Sequence, residues 1–295
     1  MSLTMNKPLG VITSKWISQV FVLIILLGVG IPFVLAAKQN GPVKEYYDNG
    51  ALRTEKNHKN GLLDGVLKSY YESGKMQMHY IYREGQMDGI QKDYYENGEF
   101  KAQSSYDHGR LDGVSKEYYE NGQLKWESHY KDGLKEGAFR AFYEDGHLKT
   151  ENQYQNDQLH GAMISYYPTG TIEEEKYYRQ GQIKGLVKTY YESGSLKMEA
   201  NYQDDRPAGV VKNYYESGNL KEEIYYDDGE PTGQTKSYNE AGHLFSECKA
   251  GGEDKECTTR LFYDDGRIKK IEVYRGRTLI QKKRYDQEGN IISIK

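Results

Sequence analysis

Cysteine is nearly absent from this chain: Cys248 and Cys257 are the only two in 295 residues. A fold stapled by a disulfide framework is therefore excluded. Proline is also scarce, at 6 residues, which argues against an extended, disordered composition. Tryptophan occurs only as Trp16 and Trp126. There is no excess of positive charge. The net charge is −4, whereas a nucleic-acid binder needs a clustered basic surface. The 7 histidines are scattered, with no paired His of a zinc helix and no Cys-x-x-Cys. No Gly-x-Ser-x-Gly elbow and no phosphate-binding loop is present. Gly28-Val29-Gly30 lies inside an apolar run, where helix packing explains it. The acidic turns Asp227-Asp228-Gly229 and Asp264-Asp265-Gly266 lack the alternating ligands of a calcium loop and read as ordinary turns. The sequence points to a protein that is not an enzyme and carries no cofactor or metal.

Long hydrophobic runs are missing everywhere except at the start. Residues 16–37, WISQVFVLIILLGVGIPFVLAA, contain no charge. A helix of that length crosses about 30 Å of hydrocarbon. Lys7 and Lys15 precede it, so residues 1–15 read as a cytoplasmic lead and the rest as lying beyond the membrane. A signal peptide is the alternative, because Val34-Leu35-Ala36 suits cleavage and would release a secreted protein. No cysteine follows the run, which excludes a lipoprotein anchor. Either way the sequence places residues 38–295 in the periplasm or another extracytoplasmic space.

Glycine and tyrosine are abundant, at 32 and 29 residues, and their placement is periodic. Gly50, Gly74, Gly98, Gly122, Gly146, Gly170, Gly194, Gly218, Gly242 and Gly266 follow one another at a fixed interval of 24. A second series runs from Gly41 through Gly65, Gly89 and Gly113 to Gly233 at the same interval. Self-similarity at such a period marks a repeat array of about ten units. Each unit reads as a β-hairpin. Asn121-Gly122 predicts a two-residue type I′ turn between Tyr- and Val-bearing strands. Asp132-Gly133 then opens a longer connection that ends at Gly137.

A two-residue turn at 121–122 sets the register. It places Tyr119 opposite Leu124, Glu117 opposite Trp126, and Lys116 opposite Glu127. The same arithmetic predicts the pairs Lys44–Glu55, Arg140–Glu151, Lys188–Glu199 and Lys212–Glu223. Opposed charges of this kind stabilise by about 0.2–1 kcal/mol each. One face is then expected to carry the second Tyr of each pair, the Leu/Met/Ile position and the lone Tyr. A single hairpin is marginal in water, so the units should lie edge to edge. The fold class that follows is all-β, one twisted antiparallel sheet, on the order of 100 Å long at about 4.8 Å per strand.

At these residues the chain resembles the MORN repeat family, in its bacterial variant with units of the form G-x-x-K-x-Y-Y-E-N-G-x-L-K-x-E-x-x-Y-x-D-G. The resemblance covers roughly residues 41–290. It implies stacked hairpins, protein–protein contact or scaffolding, and in some members association with membranes. Some bacterial relatives carry an antitoxin-like label. The resemblance implies no catalytic residue.

Several units depart from the pattern. Asp157 and Asp205 replace the Gly of the Asp-Gly position and should alter those turns, and Pro207 stiffens one connection. Between Ser246 and Thr259 a Cys takes the place of the closing Gly. Cys248 and Cys257 are symmetric about a turn centred between Gly252 and Glu253, which predicts a disulfide.

The function expected is a membrane-tethered scaffold or interaction subunit whose partner is a protein of a membrane or envelope complex. The bilayer itself is contacted through residues 16–37, and nucleic acid is not a partner. Partner-binding candidates are the residues that break the pattern, Trp126, Phe100 and Met78, together with Tyr119 and Tyr130. The alternatives are glycan or cell-wall binding through aromatic rings, and an immunity or antitoxin-like role.

Overall fold

The computed structural model describes residues 38–249 and 256–295. Two features of the sequence reading, the run 16–37 and the turn at Gly252-Glu253, lie outside the described residues. Among the described residues no helix is long and apolar enough to cross a membrane.

Residues 38–295 form one all-β unit. Its 26 strand segments, from Gly41–Tyr46 to Ile291–Ile294, belong to a single antiparallel sheet. Each strand pairs with its sequence neighbours, so the sheet is a meander without crossovers. Short segments such as Leu62–Leu63 and Gln86–Met87 are the leading ends of the strands that follow them, split off by the single residues Asp64 and Asp88.

Two turns alternate, and each corrects the sequence reading. At the Asn-Gly turn the Gly122 N–H donates to the Tyr119 carbonyl (2.9 Å) and the Tyr119 N–H donates to the Gln123 carbonyl (2.8 Å). Only Gly122 has positive φ, at 84°, so this is a three-residue loop ending in a left-handed glycine, not a two-residue type I′ turn. The type I′ turn is at the other end of the hairpin. There Asp132 (φ 53°) and Gly133 (φ 89°) connect directly paired Lys131 and Leu134, with no longer connection. Asp157 and Asp205 keep that geometry at φ 64° and 67°, since Asp tolerates the left-handed region. Their carboxylates accept the Lys135 and Ile183 N–H groups of the preceding hairpin at 2.7 and 2.8 Å.

The longer loop shifts the pairing by one residue. Leu124 therefore faces Tyr118 rather than Tyr119. Lys125 is then an unpaired bulge residue, and the shift is undone: Trp126 faces Glu117 and Glu127 faces Lys116. Alternation along the strands now separates two faces. The inner face carries Ser115, Glu117, Trp126, Ser128 and the lone Tyr130, which stands opposite Gly113. The outer face carries Val114, Lys116, Tyr118, Leu124 and Glu127. The expected apolar face is thus split. The lone Tyr lies on the inner side, the Leu position on the outer side, and the second Tyr outside the ladder.

Among the described residues no second layer packs on this sheet. The buried hydrophobic side chains among them are Val187 and Ala200, and the buried polar ones are Ser69, Gln91, Ser115, Ser128 and Asn152. All seven project on the inner face, at rungs such as Val187–Ala200 and Ser115–Ser128. Gln91 is satisfied by clasping the Ile81 backbone, accepting its N–H at 2.7 Å and donating to its carbonyl at 3.0 Å.

Candidate interaction surface

Three recurring devices hold each hairpin together and join it to the next. The first is the second Tyr. Its ring leaves the ladder and its hydroxyl donates to a main-chain carbonyl of the next hairpin: Tyr95 to Tyr118, Tyr119 to Phe142, Tyr143 to Tyr166 and Tyr191 to Tyr214, at 2.7–2.9 Å. The second device is the bulge lysine. Lys125, Lys149, Lys197 and Lys221 each lie 5.4–5.8 Å over the second Tyr ring of their own hairpin, a cation–π cover. The bulge that corrects the register therefore also aims this lysine.

The third device is a ladder of charge along the outer face. Lys44 stands opposite Glu55, Arg140 opposite Glu151, Lys188 opposite Glu199 and Lys212 opposite Glu223 within their hairpins. Most glutamates of this row also face a basic residue of the following hairpin: Glu55 faces Lys68, Glu127 faces Arg140, Glu175 faces Lys188, Glu199 faces Lys212 and Glu223 faces Lys236, whereas Glu151 faces Ile164. Contacts run both ways. Lys116–Glu127 spans 3.4 Å within a hairpin, whereas Glu55–Lys68 (3.3 Å), Glu127–Arg140 (3.4 Å) and Glu199–Lys212 (3.5 Å) bridge two hairpins. The first Tyr of the next unit adds its hydroxyl. Tyr190 donates to Glu175 and Tyr214 to Glu199, both at 2.8 Å. Burial, followed by this bond to a carboxylate, pushes the Tyr190 and Tyr214 phenols up to about 12. At Glu55 the Tyr70 hydroxyl, together with Lys68, holds the carboxyl below its usual range.

Beside the charge ladder runs an apolar row, one residue per hairpin just after the closing glycine, from Pro42 to Val210; Gln234 ends it. Val66, Ile90 and Leu186 of this row are 40%, 43% and 46% exposed. The sequence reading missed this row and the inter-hairpin half of the charge ladder. The signals were present as an apolar residue recurring at 24 and a Glu followed by a basic residue 13 positions on.

The pattern-breaking candidates do not converge on one patch. Trp126 lies on the inner face, where its indole N–H donates to Glu117 (2.8 Å) and its ring stacks 6.4 Å from Phe139. Met78 is also inward, opposite Asp93 and Ser69. Phe100 is on the outer face, 39% exposed, between Tyr94 (5.0 Å) and Tyr118 (6.2 Å). Tyr119 is an inter-hairpin hook and Tyr130 covers Gly113. Cys248 and Cys257 stand opposite each other and are joined by a disulfide that ties one hairpin to the next.

One trio could offer ligands to a metal ion. Asp88, Asp107 and His108 bring three such atoms within 4.8 Å, but the Arg83 guanidinium sits 3.2 Å from Asp88 and already supplies the positive charge.

Comparison with known proteins agrees with this geometry. No curated protein sequence matches the chain at a significant level. Solved structures that match include the complex TcdB2-TccC3-Cdc42, at 14% identity and TM-score 0.21, with 86% of this chain and 14% of that chain covered. The Tc holotoxin pore of Photorhabdus luminescens matches at 13% identity and TM-score 0.19, covering 85% and 14%. A porin-like protein from Bacteroides uniformis matches at 9% identity and TM-score 0.18, covering 81% and 91%. This chain thus spans only a small part of the toxin chains, and at such TM-scores the likeness carries no functional argument. The profile of the MORN repeat variant matches eight consecutive units, residues 39–60, 63–84, 87–108, 111–132, 135–156, 159–180, 183–204 and 208–228. With eight such units between residues 39 and 228, the chain belongs to the MORN repeat variant family.

Proposed function

We propose that this protein is a non-catalytic scaffold, held to a membrane by residues 16–37, whose sheet docks a protein of a membrane or envelope complex in the extracytoplasmic space. One observation carries the reading. Among the described residues the sheet is a single layer, so its outer face, with an exposed apolar row beside a charge ladder, is left open along successive hairpins. A domain built around a catalytic cleft would instead enclose a second layer and a pocket of converging polar groups.

The inward groups have structural duties. Glycan binding through tryptophan draws little support, because Trp126 is stacked and its N–H is engaged. Crosslinking of the full chain in native membranes, followed by mass spectrometry, tests the scaffold. Crosslinks from Lys68, Lys92, Lys116, Lys188 or Lys212 to one recurring protein support it. Recovery of the chain with no recurring neighbour would sink it.

A further inference from the structure

At one junction the repeat chemistry fails in two places at once. Eight second tyrosines, from Tyr47 to Tyr215, each send a hydroxyl to a carbonyl of the next hairpin at 2.7–2.9 Å. The next position in that series is Asn239. The bulge position of the same hairpin, most often lysine elsewhere, is Phe245. Hook ring and covering cation are both missing there, and an apolar ring stands in place of the lysine.

Asn239 does not take up the space of a ring, because its side-chain oxygen accepts the His243 N–H of its own loop at 2.8 Å. A hollow of about 370 Å³ opens beside it, with Asn239, His243, Phe245, Leu261, Phe262 and Tyr263 in its walls. A cavity of about 150 Å³ already takes a benzene ring. Phe245 and Leu261 are 39% and 41% exposed, so the hollow is reached from solvent.

The walls are set by the pairing of the two hairpins. That pairing is offset by two residues: Glu247 faces Thr258, whereas at the junction before it Glu223 faces Lys236, the counterpart of Arg260. His243 lies alongside Phe262, with ring centroids 5.3 Å apart. It also lies against Gly266, where a Cβ would come within 2.5 Å of the imidazole. Among the described residues no side chain donates to the Phe262 carbonyl, the counterpart of the Tyr238 carbonyl that takes the Tyr215 hydroxyl.

We propose that this hollow receives a tyrosine side chain of a partner polypeptide. The chain itself supplies the precedent, since at eight junctions the corresponding place between successive loops holds one of its own tyrosines. The partner's ring lies against Phe245 and Leu261, and its hydroxyl donates to the Phe262 carbonyl. The inference rests on the scaffold reading for its biological use, and it adds where along the sheet the partner is read.

A second copy fits less well. Its exposed tyrosines among the described residues, Tyr46 and Tyr177 at 58% and 49%, stand in paired strands opposite Leu52 and Ala162. It would bring a sheet to a hollow that lies between two loops, not a free ring.

The test is methyl NMR on the full chain in nonionic detergent, following Leu261, with the peptide Gly-Gly-Tyr-Gly-Gly as probe and Gly-Gly-Phe-Gly-Gly as control. The tyrosine peptide should shift the Leu261 methyl signals saturably. The phenylalanine peptide should bind about fivefold more weakly, for want of one hydrogen bond. Asn239→Tyr puts the chain's own ring in the slot. It should abolish binding and leave the melting temperature unchanged or higher, which separates a filled site from a fold defect.

Four results would overturn the proposal: no shift at Leu261 with millimolar tyrosine peptide, equal binding of both peptides, undiminished binding by the Asn239→Tyr chain, or self-association of the parent chain that Asn239→Tyr abolishes. None of them bears on crosslinks from the outer-face lysines, so the two readings fail separately.

Discussion

The junction between the last two full hairpins is where the array should break first. Everywhere upstream the second Tyr hooks the next hairpin, but here its place is taken by Asn239. The Asn239 side chain turns back on its own loop, accepting the His243 N–H at 2.8 Å. Among the described residues the strand Leu244–Cys248 meets Glu256–Phe262 through three register pairs, against five at the junction before it. Beside the Arg260–Glu247 ion pair at 3.6 Å, the strongest tie across it is the Cys248–Cys257 disulfide, which closes a sequence separation of 9. Chain-entropy arithmetic for a loop of that size gives about 2.7 kcal/mol. In a repeat array that sum acts locally, because stability is carried by nearest neighbours. Replacing both residues (Cys248→Ser with Cys257→Ser) should therefore speed amide exchange across 256–285 about a hundredfold, with little change upstream of Tyr238. Restoring the missing hook, Asn239→Tyr in that background, should recover about 1 kcal/mol, the worth of one such hydrogen bond. If the doubly substituted chain exchanges like its parent, the disulfide does not stand in for the hook and the reasoning fails.

Three further outcomes follow from the same geometry. Tyr191→Phe should lower stability in a urea titration by about 1 kcal/mol, the cost of leaving the Tyr214 carbonyl without its 2.8 Å donor. Tyr191→Ala should cost more, because the ring under Lys197 goes too. Because the Tyr190 and Tyr214 phenols titrate higher folded than unfolded, their contribution is complete below pH about 10, the ordinary tyrosine value. It should be lost as pH rises toward about 12, and absorbance titration of Glu199→Gln should show the Tyr214 phenol moving back down. Gly122→Ala should cost about 1–2 kcal/mol in thermal melts, since φ is 84° and L residues disfavour it. Its Cβ would meet only Glu99 Oε2 at 3.4 Å, so a much larger loss would point to crowding rather than backbone strain.

Much of the register was legible for an instructive reason. The expected two-residue loop at Asn121-Gly122 is one residue too short, and the expected regular strand omits one bulge residue, Lys125. The two offsets cancel beyond Trp126, so Lys116 opposite Glu127 could be read correctly from a wrong turn. Nearer the turn they do not cancel, which is why Tyr119 was assigned to a face it does not occupy. The hooks were out of reach for a different reason. Tyr191 and Tyr214 belong to different hairpins, and only the order of strands in the sheet brings them together. The outer ladder was half visible: within-hairpin pairs follow from a turn, whereas Glu199–Lys212 needs the neighbouring unit to be placed first. The placement of the site candidates was not legible, because a residue's departure from the repeat says nothing of which side of the sheet it departs on.

The split between repeated and unrepeated residues has a physical cause that bears on where binding specificity lies. Positions that recur every 24 residues are those with a duty to the hairpin's own turn or to the next hairpin: the bulge Lys and the turn glycines to the first, the hook Tyr and the ladder Glu to the second. Inner rungs answer only to their immediate neighbours, so their sizes trade against one another. Ser115 faces Ser128 one rung from Trp126, Phe139 faces Asn152, and Val187 faces Ala200. Such compensation maintains packing and leaves nothing displayed. The outer ladder is displayed, but it repeats, so by itself it gives a partner affinity without a unique address along the sheet. An address requires a place where the repeat chemistry stops. That happens at Asn239, which does not hook the next hairpin, and again after Tyr263. There Asp286 holds the hook position, Ile271 and Ile294 replace the ladder glutamates, and cations outnumber carboxylates. A partner gripping the repeated face could slide by whole hairpins, and one that also reads such a break could not.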